Sequence, residues 1–312
     1  MARCAVFVLG AFVVYVTLAN VALSTHAVEA VVNRLAPSHV RVHYARAWTV
    51  WPMRVHTRGF VLRTADSSVE TLFRFDRATT SFSALDFFHR TVHLRGASAE
   101  GVSVRIRFKL DAKDATPDHV AQLPEIEGLG DPPLHPVPMP PDPDDAHYAL
   151  WSVAVDDAKA DGVREVWVDT IRMTDTGGSV AGGFYLRPLR RARISDAKIA
   201  LEHADVTHGK DDVATAVHAK LRLRLETFDM QHQEAREMLR LLSADGALYA
   251  RTGDWKLVDP LIAKHGVSVE GGRGALTLVF GLDHGTIQDE TRAEWKLDDW
   301  SARRGKDRVA AS

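Results

Sequence analysis

Fifteen histidines in 312 residues raise metal binding as the first chemistry to consider. His89 and His93 are four apart, a spacing that would bring both imidazoles to one face of a helix. They lie in strand-like sequence, where about 3.3 Å per residue would hold their Cα atoms about 13 Å apart, too far to share an ion. His39 and His43 meet the same objection. These histidines read as solvated strand residues, and no metal site is expected. The carboxylates give no better site. "PDPDD" at 141–145 lacks the spacing of a calcium loop. Asp156-Asp157 and Asp211-Asp212 read as turn residues. Gly-x-Ser-x-Gly and His-Glu-x-x-His are absent, and "GGRG" at 271–274 has no following Lys-Ser or Lys-Thr to make a phosphate loop. The expectation is a protein with no catalytic residues, no cofactor and no enzymatic activity.

What the sequence does carry is alternation. In "VHLRGASAEGVSVRIRFKL" (92–110), Val102, Val104, Ile106, Phe108 and Leu110 fall on one side, with Ser103, Arg105, Arg107 and Lys109 on the other. "AVHAKLRLRLETF" repeats the pattern, with Leu221, Leu223 and Leu225 opposite Lys220, Arg222 and Arg224. A strand with one apolar and one basic face must have something laid against the apolar one: a second sheet, or an apolar ligand.

The elements that would carry this face are legible in outline. Residues 4–23, "CAVFVLGAFVVYVTLANVAL", hold no charge and match the length of a bilayer-spanning helix. Arg3 precedes them and favours a cytoplasmic tip at residues 1–3. An uncleaved anchor is the expectation. A cleaved signal peptide ending near Ala22-Leu23-Ser24 or Thr25-His26-Ala27 is the competing one. Val28, Val31, Val32 and Leu35 mark a short amphipathic helix that Pro37 ends. Residues 24–110 then form this helix and a first strand group. Nine of the thirteen prolines lie in 111–147, which reads as a solvated loop or semi-rigid linker, with a docking site for a proline-reading partner as the alternative. Residues 148–300 form a second group of short strands set off by Asp-Gly, Gly-Gly and Asp-Ala turns, with helices near 229–243 and 254–264. Residues 301–312 read as a frayed polar tail. A net charge of −2 gives no reason to expect nucleic acid, and the single Cys4 excludes a disulfide framework.

The order of these features resembles the AsmA-like proteins of Gram-negative envelopes, within the repeating β-groove lipid-transfer family. The features are an N-terminal membrane helix, "VEAVVNRL", "WPMRVHTRGFVL" with Trp51-Pro52 and Gly59, "LRGASAEGVSVRIRF" with Gly96 and Gly101 at a turn, a Pro-rich insertion, "LWSVAVDDAKADG", "VAGGFYLRP" and "ARISDAKIALEHADVTHG". They span most of residues 4–282. The resemblance implies a mainly β fold: a transmembrane helix, then an extended, curled antiparallel sheet forming an open groove, with a few short helices. It implies a single-pass inner-membrane protein with its bulk in the periplasm, binding phospholipid and serving outer-membrane lipid homeostasis. The groove lining would be Val92, Leu94, Val102, Val104, Ile106, Phe108 and Leu110, then Leu221, Leu223 and Leu225, then Leu276, Leu278 and Phe280. Family members usually run longer, so a short member, one part of an oligomeric conduit and a truncated frame all stay open. An envelope protein or a second copy of the chain is an open partner. Two other functions stay open: an envelope assembly protein whose sheet edge pairs with a client strand, and an exported β-sandwich hydrolase or glycan-binding protein.

Overall fold

The structure, a computed structural model, describes residues 2–35, 40–65, 69–110, 116–129, 152–187, 190–209, 211–229, 232–233, 235–252, 267–304 and 307–311. Helix α1 (Ala2–Ser24) turns at His26 into α2 (Ala27–Leu35), the amphipathic helix expected from its valine spacing. The first strands follow: β1 (Val40–Trp51), β2 (Arg54–Ala65) and β3 (Val69–Phe82). A five-residue helix α3 (Ala84–Phe88) leads to β4 (Thr91–Phe108), and α4 (Pro117–Gln122) comes after it. The second group is β5 (Ser152–Val168), β6 (Ile171–Arg187), β7 (Arg191–Leu201), β8 (Asp205–His208) and β9 (Asp211–Asp229). A helical turn α5 (Ala235–Met238) with a 3-10 turn (Leu239–Leu241) precedes β10 (Leu242–Thr252), β11 (Val267–Asp283), β12 (Thr286–Ile287), β13 (Arg292–Arg304) and β14 (Asp307–Ala311).

All fourteen strands form one sheet, in the order β1-β2-β3-β4-β5-β6-β7-β9-β10-β11-β13-β14, with β12 on β11 and β8 beside β6 and β9. The fold is thus mainly β. The sheet is mixed rather than purely antiparallel, because β4 and β5 run parallel. Two-residue turns cannot join parallel neighbours, and the long 109–151 connection is what permits this pair. The accessible surface is 20470 Å², against about 13,000 Å² for a globular protein of this mass.

Several expected turns are not turns. β4 passes without interruption through Gly96 and Gly101, and β6 through its Gly-Gly pairs, so the short strands expected in 148–209 are fewer and longer. The glycines and aspartates mark creases instead. In β1, β2, β3 and β5 two successive residues are exposed between shielded ones: Ala45-Arg46, Arg58-Gly59, Asp76-Arg77 and Asp161-Gly162. Register places these side by side, with Glu100-Gly101 of β4 between the last two. Gly59, Gly101 and Gly162 have φ of 59°, 64° and 63°, a left-handed backbone that glycine adopts without steric cost. A Cβ on Gly101 would also sit 2.2 Å from an Asp76 carboxylate oxygen. A second crease crosses β4 at Arg95-Gly96, β5 at Asp156-Asp157, β6 at Gly182 and β7 at Ser195-Asp196. On β4 each crease shifts the two-residue alternation by one position, as a bulge does; at the second crease β5 and β7 slip likewise, while β6 keeps its alternation through Gly182.

The edge at β1 is sealed by helices. Asn20 Nδ2 donates to the Thr49 carbonyl at 2.7 Å while the Thr49 N–H donates to Asn20 Oδ1 at 3.0 Å. Asn33 repeats the device on Val42, with Nδ2 donating at 2.9 Å and the Val42 N–H at 2.7 Å. Two side-chain amides therefore satisfy backbone groups that a neighbouring strand would otherwise take. Leu23 packs on Tyr44 and Ala47, with Val42, Val55 and Phe60 around them. This packing bears on the expected span. Among the described residues no single helix is long and apolar enough to cross a membrane; Leu9–Ser24 and Ala27–Arg34 pass that test only together, bent by 65°.

The Pro-rich insertion is not simply a solvated loop. α4 is capped by the Thr116 side chain, and the chain after it lies over the side of β3 and β4 expected to face solvent. Ile126 is 1% exposed and Leu72 beneath is 3% exposed. Arg107 donates to the Pro124 carbonyl at 3.1 Å, and Arg105 donates to both the Glu127 carbonyl and its carboxylate. Arg105 and Arg107, expected on a solvated basic face, are therefore buried. Residues 130–151 lie outside the described residues, as does the helix expected at 254–264. The helix expected at 229–243 shrinks to α5 and its 3-10 turn, because Leu242 is already in β10. The tail expected to fray supplies the end of β13 and all of β14. Ile126→Ala should lower the stability of the full chain by about 2–5 kcal/mol, read as a lower denaturant midpoint at unchanged slope.

Candidate functional site

Directly paired strand residues point to the same side of a sheet, so register decides what shares a face. One row runs Val42, Leu62, Phe73, Val104, Val166, Met173, Val206, Ala214, crossing from β1 to β9. Another runs Phe82, Leu94, Val155, Phe184, Ile194, Leu225, Leu242. Between them lies Ala99, Ala160, Val180, Ile199, Leu221, Gly246, Phe280. The creases keep all three on one side. On β4 the inward set is Val92 and Leu94, then Ala97 and Ala99, then Val102, Val104, Ile106 and Phe108, with a parity change at Gly96 and another at Gly101. The two changes cancel, which is why even-numbered residues at both ends of the strand share the face.

The candidate lining residues fall as follows. Val92, Leu94, Val102, Val104, Ile106 and Phe108 lie on this face of β4, and Leu221, Leu223 and Leu225 on that of β9. Leu276, Leu278 and Phe280 join through Ala250, Leu248 and Gly246 of β10. Leu110 follows the end of β4 and belongs to no strand. Equivalent residues on β2, β3, β5, β6 and β7 were missed, notably Phe60, Phe73, Phe75, Val166 and Phe184. Their own alternation was the available signal, obscured by the odd step at each crease. Most of the face is half-buried, while Phe108, Val180 and Phe184 are exposed. Phe60 and Phe75 stack at 5.8 Å, and Phe73 and Phe75 at 6.4 Å.

The opposite face is a ladder of charge. Arg105 and Arg172 converge on Glu165, at 2.8 and 2.7 Å, and both guanidinium groups lie over the Trp167 ring, at 6.0 and 4.7 Å. Arg63 pairs with Glu70 and Arg77 with Glu100, each at 3.5 Å.

No group of three or more metal-ligating side chains occurs among the described residues. His93 is nonetheless not a solvated strand histidine. Its Nδ1 lies 2.6 Å from Asp86 of α3, and its Nε2 lies 2.6 Å from Asp156 on the second crease. Asp156 is therefore a partner within β5 rather than a turn residue. The α3 helix was read as strand because of its phenylalanines. Ser83, whose side chain accepts from the Asp86 N–H, is the N-cap signal that reveals it. The Asp156 and Asp86 carboxylates raise the His93 pKa, and the hydrogen bonds from Ser83 and then His93 lower that of Asp86. A raised histidine pKa contributes stability that is complete below the unfolded value near 6.5 and is lost as pH rises through the folded value. The lowered Asp86 pKa contributes above the ordinary carboxylate range and is lost as pH falls through its folded value. The clamp should therefore weaken on alkalinisation above the His93 titration. His93→Gln should flatten the fall in denaturation midpoint between about pH 6 and pH 9, and an unchanged slope would show that His93 does not hold the clamp.

A scan against protein-family models finds no match for this chain, and a search of curated proteins finds none either.

Proposed function

We propose that this chain is a membrane-anchored, AsmA-like phospholipid-binding protein of the inner membrane, facing the periplasm, whose curled sheet holds acyl chains along its apolar face. The observation that carries the reading is the continuity of that face. Seven to eight strands contribute to each row, the creases preserve it, and among the described residues no second sheet lies upon it. Each CH₂ group kept from water contributes about 0.8 kcal/mol, so an unbroken trough lowers the barrier to moving an acyl chain while its head group stays wet. No covalent chemistry is required of any side chain. The resemblance in element order supports the same reading. Strand pairing with a client is favoured less at the β1 edge, where Asn20 and Asn33 already occupy backbone groups, and would fall to the β14 edge.

Ile106 tests the proposal. It lies mid-row between Thr71 and Val168 and is half-buried. A photocrosslinking residue at Ile106 in the full chain should capture phospholipid in membranes, whereas one at Arg77, on the charged face, should not. Ile106→Asp should leave the protein folded, since the carboxylate reaches water when no lipid is present, and abolish lipid copurification. If Ile106→Asp unfolds the chain and neither probe captures lipid, the face is ordinary core and the proposal fails.

A further inference from the structure

The end of β3 and its connection to β4 expose large apolar side chains. Leu85 is 75% and Phe88 83% exposed, and Phe87 and Phe82 are also open to solvent. Their helix holds its one acidic residue, Asp86, turned back onto His93, and Leu85, Phe87 and Phe88 are the exposed large side chains of α3. The β1–β2 turn lies beside it: the Phe82 N–H donates to the Met53 carbonyl at 2.8 Å. Met53 in turn accepts α1 at that end, its N–H donating to the Tyr15 hydroxyl at 3.3 Å. Trp51, 65% exposed, meets Phe12 of α1 with ring centroids 5.8 Å apart. Three elements distant in sequence thus gather at one end of the sheet, joined by Tyr15, Met53 and Phe82.

The course of α1 says what covers this end. Residues 12–23 lie along β1, with Leu23 at Tyr44, Asn20 at Thr49 and Phe12 at Trp51. Residues 2–11 continue the helix past the last residue of β1, with Phe7 and Leu9 exposed. Ten residues rise about 15 Å, half of a bilayer's hydrocarbon core of about 30 Å, so with residues 12–23 held along β1 the helix enters one leaflet rather than spanning, and the cytoplasmic tip expected at residues 1–3 does not reach the far side. A helix inserted to that depth brings Trp51, Met53 and α3 to the level where hydrocarbon meets head groups, the level that tryptophan favours. Arg54 and Arg90, both exposed at the bases of these turns, then stand at the height of the lipid phosphates.

We propose that the α3 tip, led by Leu85 and Phe88, is a second membrane contact that inserts into the same leaflet as the first half of α1. The proposal rests on the membrane reading above and adds a second, independently testable point of attachment. Phe82 is paired with Leu94, so the tip opens directly onto a row of the apolar face.

The test uses the full chain in vesicles of phosphatidylcholine and phosphatidylglycerol, with Cys4→Ser removing the native thiol. An environment-sensitive fluorophore is placed at Phe88→Cys, at Leu9→Cys to report the anchor, and at Arg77→Cys to report the solvated sheet. Phe88 is largely exposed, so its replacement should not disturb the fold. The Phe88 label should be quenched by lipids carrying nitroxide on the acyl chain, and several-fold less by aqueous iodide than the Arg77 label. Acyl-chain quenching at Leu9 with iodide quenching at Phe88 would overturn the tip contact and leave the anchor standing. Iodide quenching at both would overturn the tip contact and the anchor together. Shielding of Phe88 from both quenchers would mean that protein, not lipid, covers the tip, and would also overturn the proposal.

Discussion

The structure depends on one constraint: a β-strand turns successive side chains to opposite faces, and this protein must keep a single face apolar across strands of up to nineteen residues while bending them. A strand of that length cannot bend sharply without losing its alternation. The solution is to bend it at positions where two consecutive residues face outward. At Gly101 the backbone enters the left-handed region, the alternation slips by one, and Val102 turns to the same side as Ala99. Neighbouring strands slip at the same level, so the pairing rows survive. A Gly101 substitution would meet both an unfavourable φ and the Asp76 carboxylate, and the slip would then cost register across the whole row.

A sheet whose apolar face is covered, among the described residues, only at its β1 end by α1 has little conventional core. The buried clusters among the described residues are small and lie toward the margins: Leu23, Tyr44 and Ala47 under α1, and Ala204, Ala214, Val217 and Ala250 where β8 meets β9 and β10. Order must come from elsewhere. The backbone ladder supplies most of it, and the charged face adds the Arg105–Glu165–Arg172 group. Its partners are shared and its hydrogen bonds directional, which makes such a group worth more than isolated surface pairs. The segment around Ile126 shields this group from water on one side. The charged face thus adds order of its own, while packing on the apolar face is confined, among the described residues, to the Leu23 cluster under α1 and the Ala204 cluster beside β8.

Much of this was legible. The alternation of β4, β9 and β11 identified residues that do share a face, and the valine spacing of 28–35 identified α2. What could not be read was continuity. Asp161-Gly162, Gly177-Gly178 and Gly182-Gly183 have the composition of turns, because both turns and creases need left-handed or close-packed backbone. Composition alone does not distinguish a chain that reverses from one that kinks and goes on. The parallel β4–β5 pair was hidden for a different reason: strand order across a connection as long as 109–151 has no local signature. His93 was misjudged because its partners, Asp86 and Asp156, come from an unrecognised helix and from a supposed turn.

The half-buried condition of the apolar face bears on what kind of binding it can support. Leu62, Phe73, Val104, Val166 and Met173 are each partly shielded although no layer covers them among the described residues, because their cross-strand neighbours shield them; Val42, at the β1 end of the row, packs instead against the Leu23 cluster under α1. A bound acyl chain therefore removes from water only the remaining part of each side chain, and gains correspondingly less than the transfer value for full burial. The gain is also similar along the rows of Val42, Phe82 and Ala99, which hold no polar side chain that would fix one position, whereas the row through Ile106 includes Thr64 and Thr71. On the proposed reading, a face built this way would hold an acyl chain by many small, nearly equal contacts. Moving the chain by one strand exchanges one set of contacts for its equivalent, so the barrier to sliding is far below the cost of leaving the sheet. That ratio suits conduction along the sheet better than storage at one site.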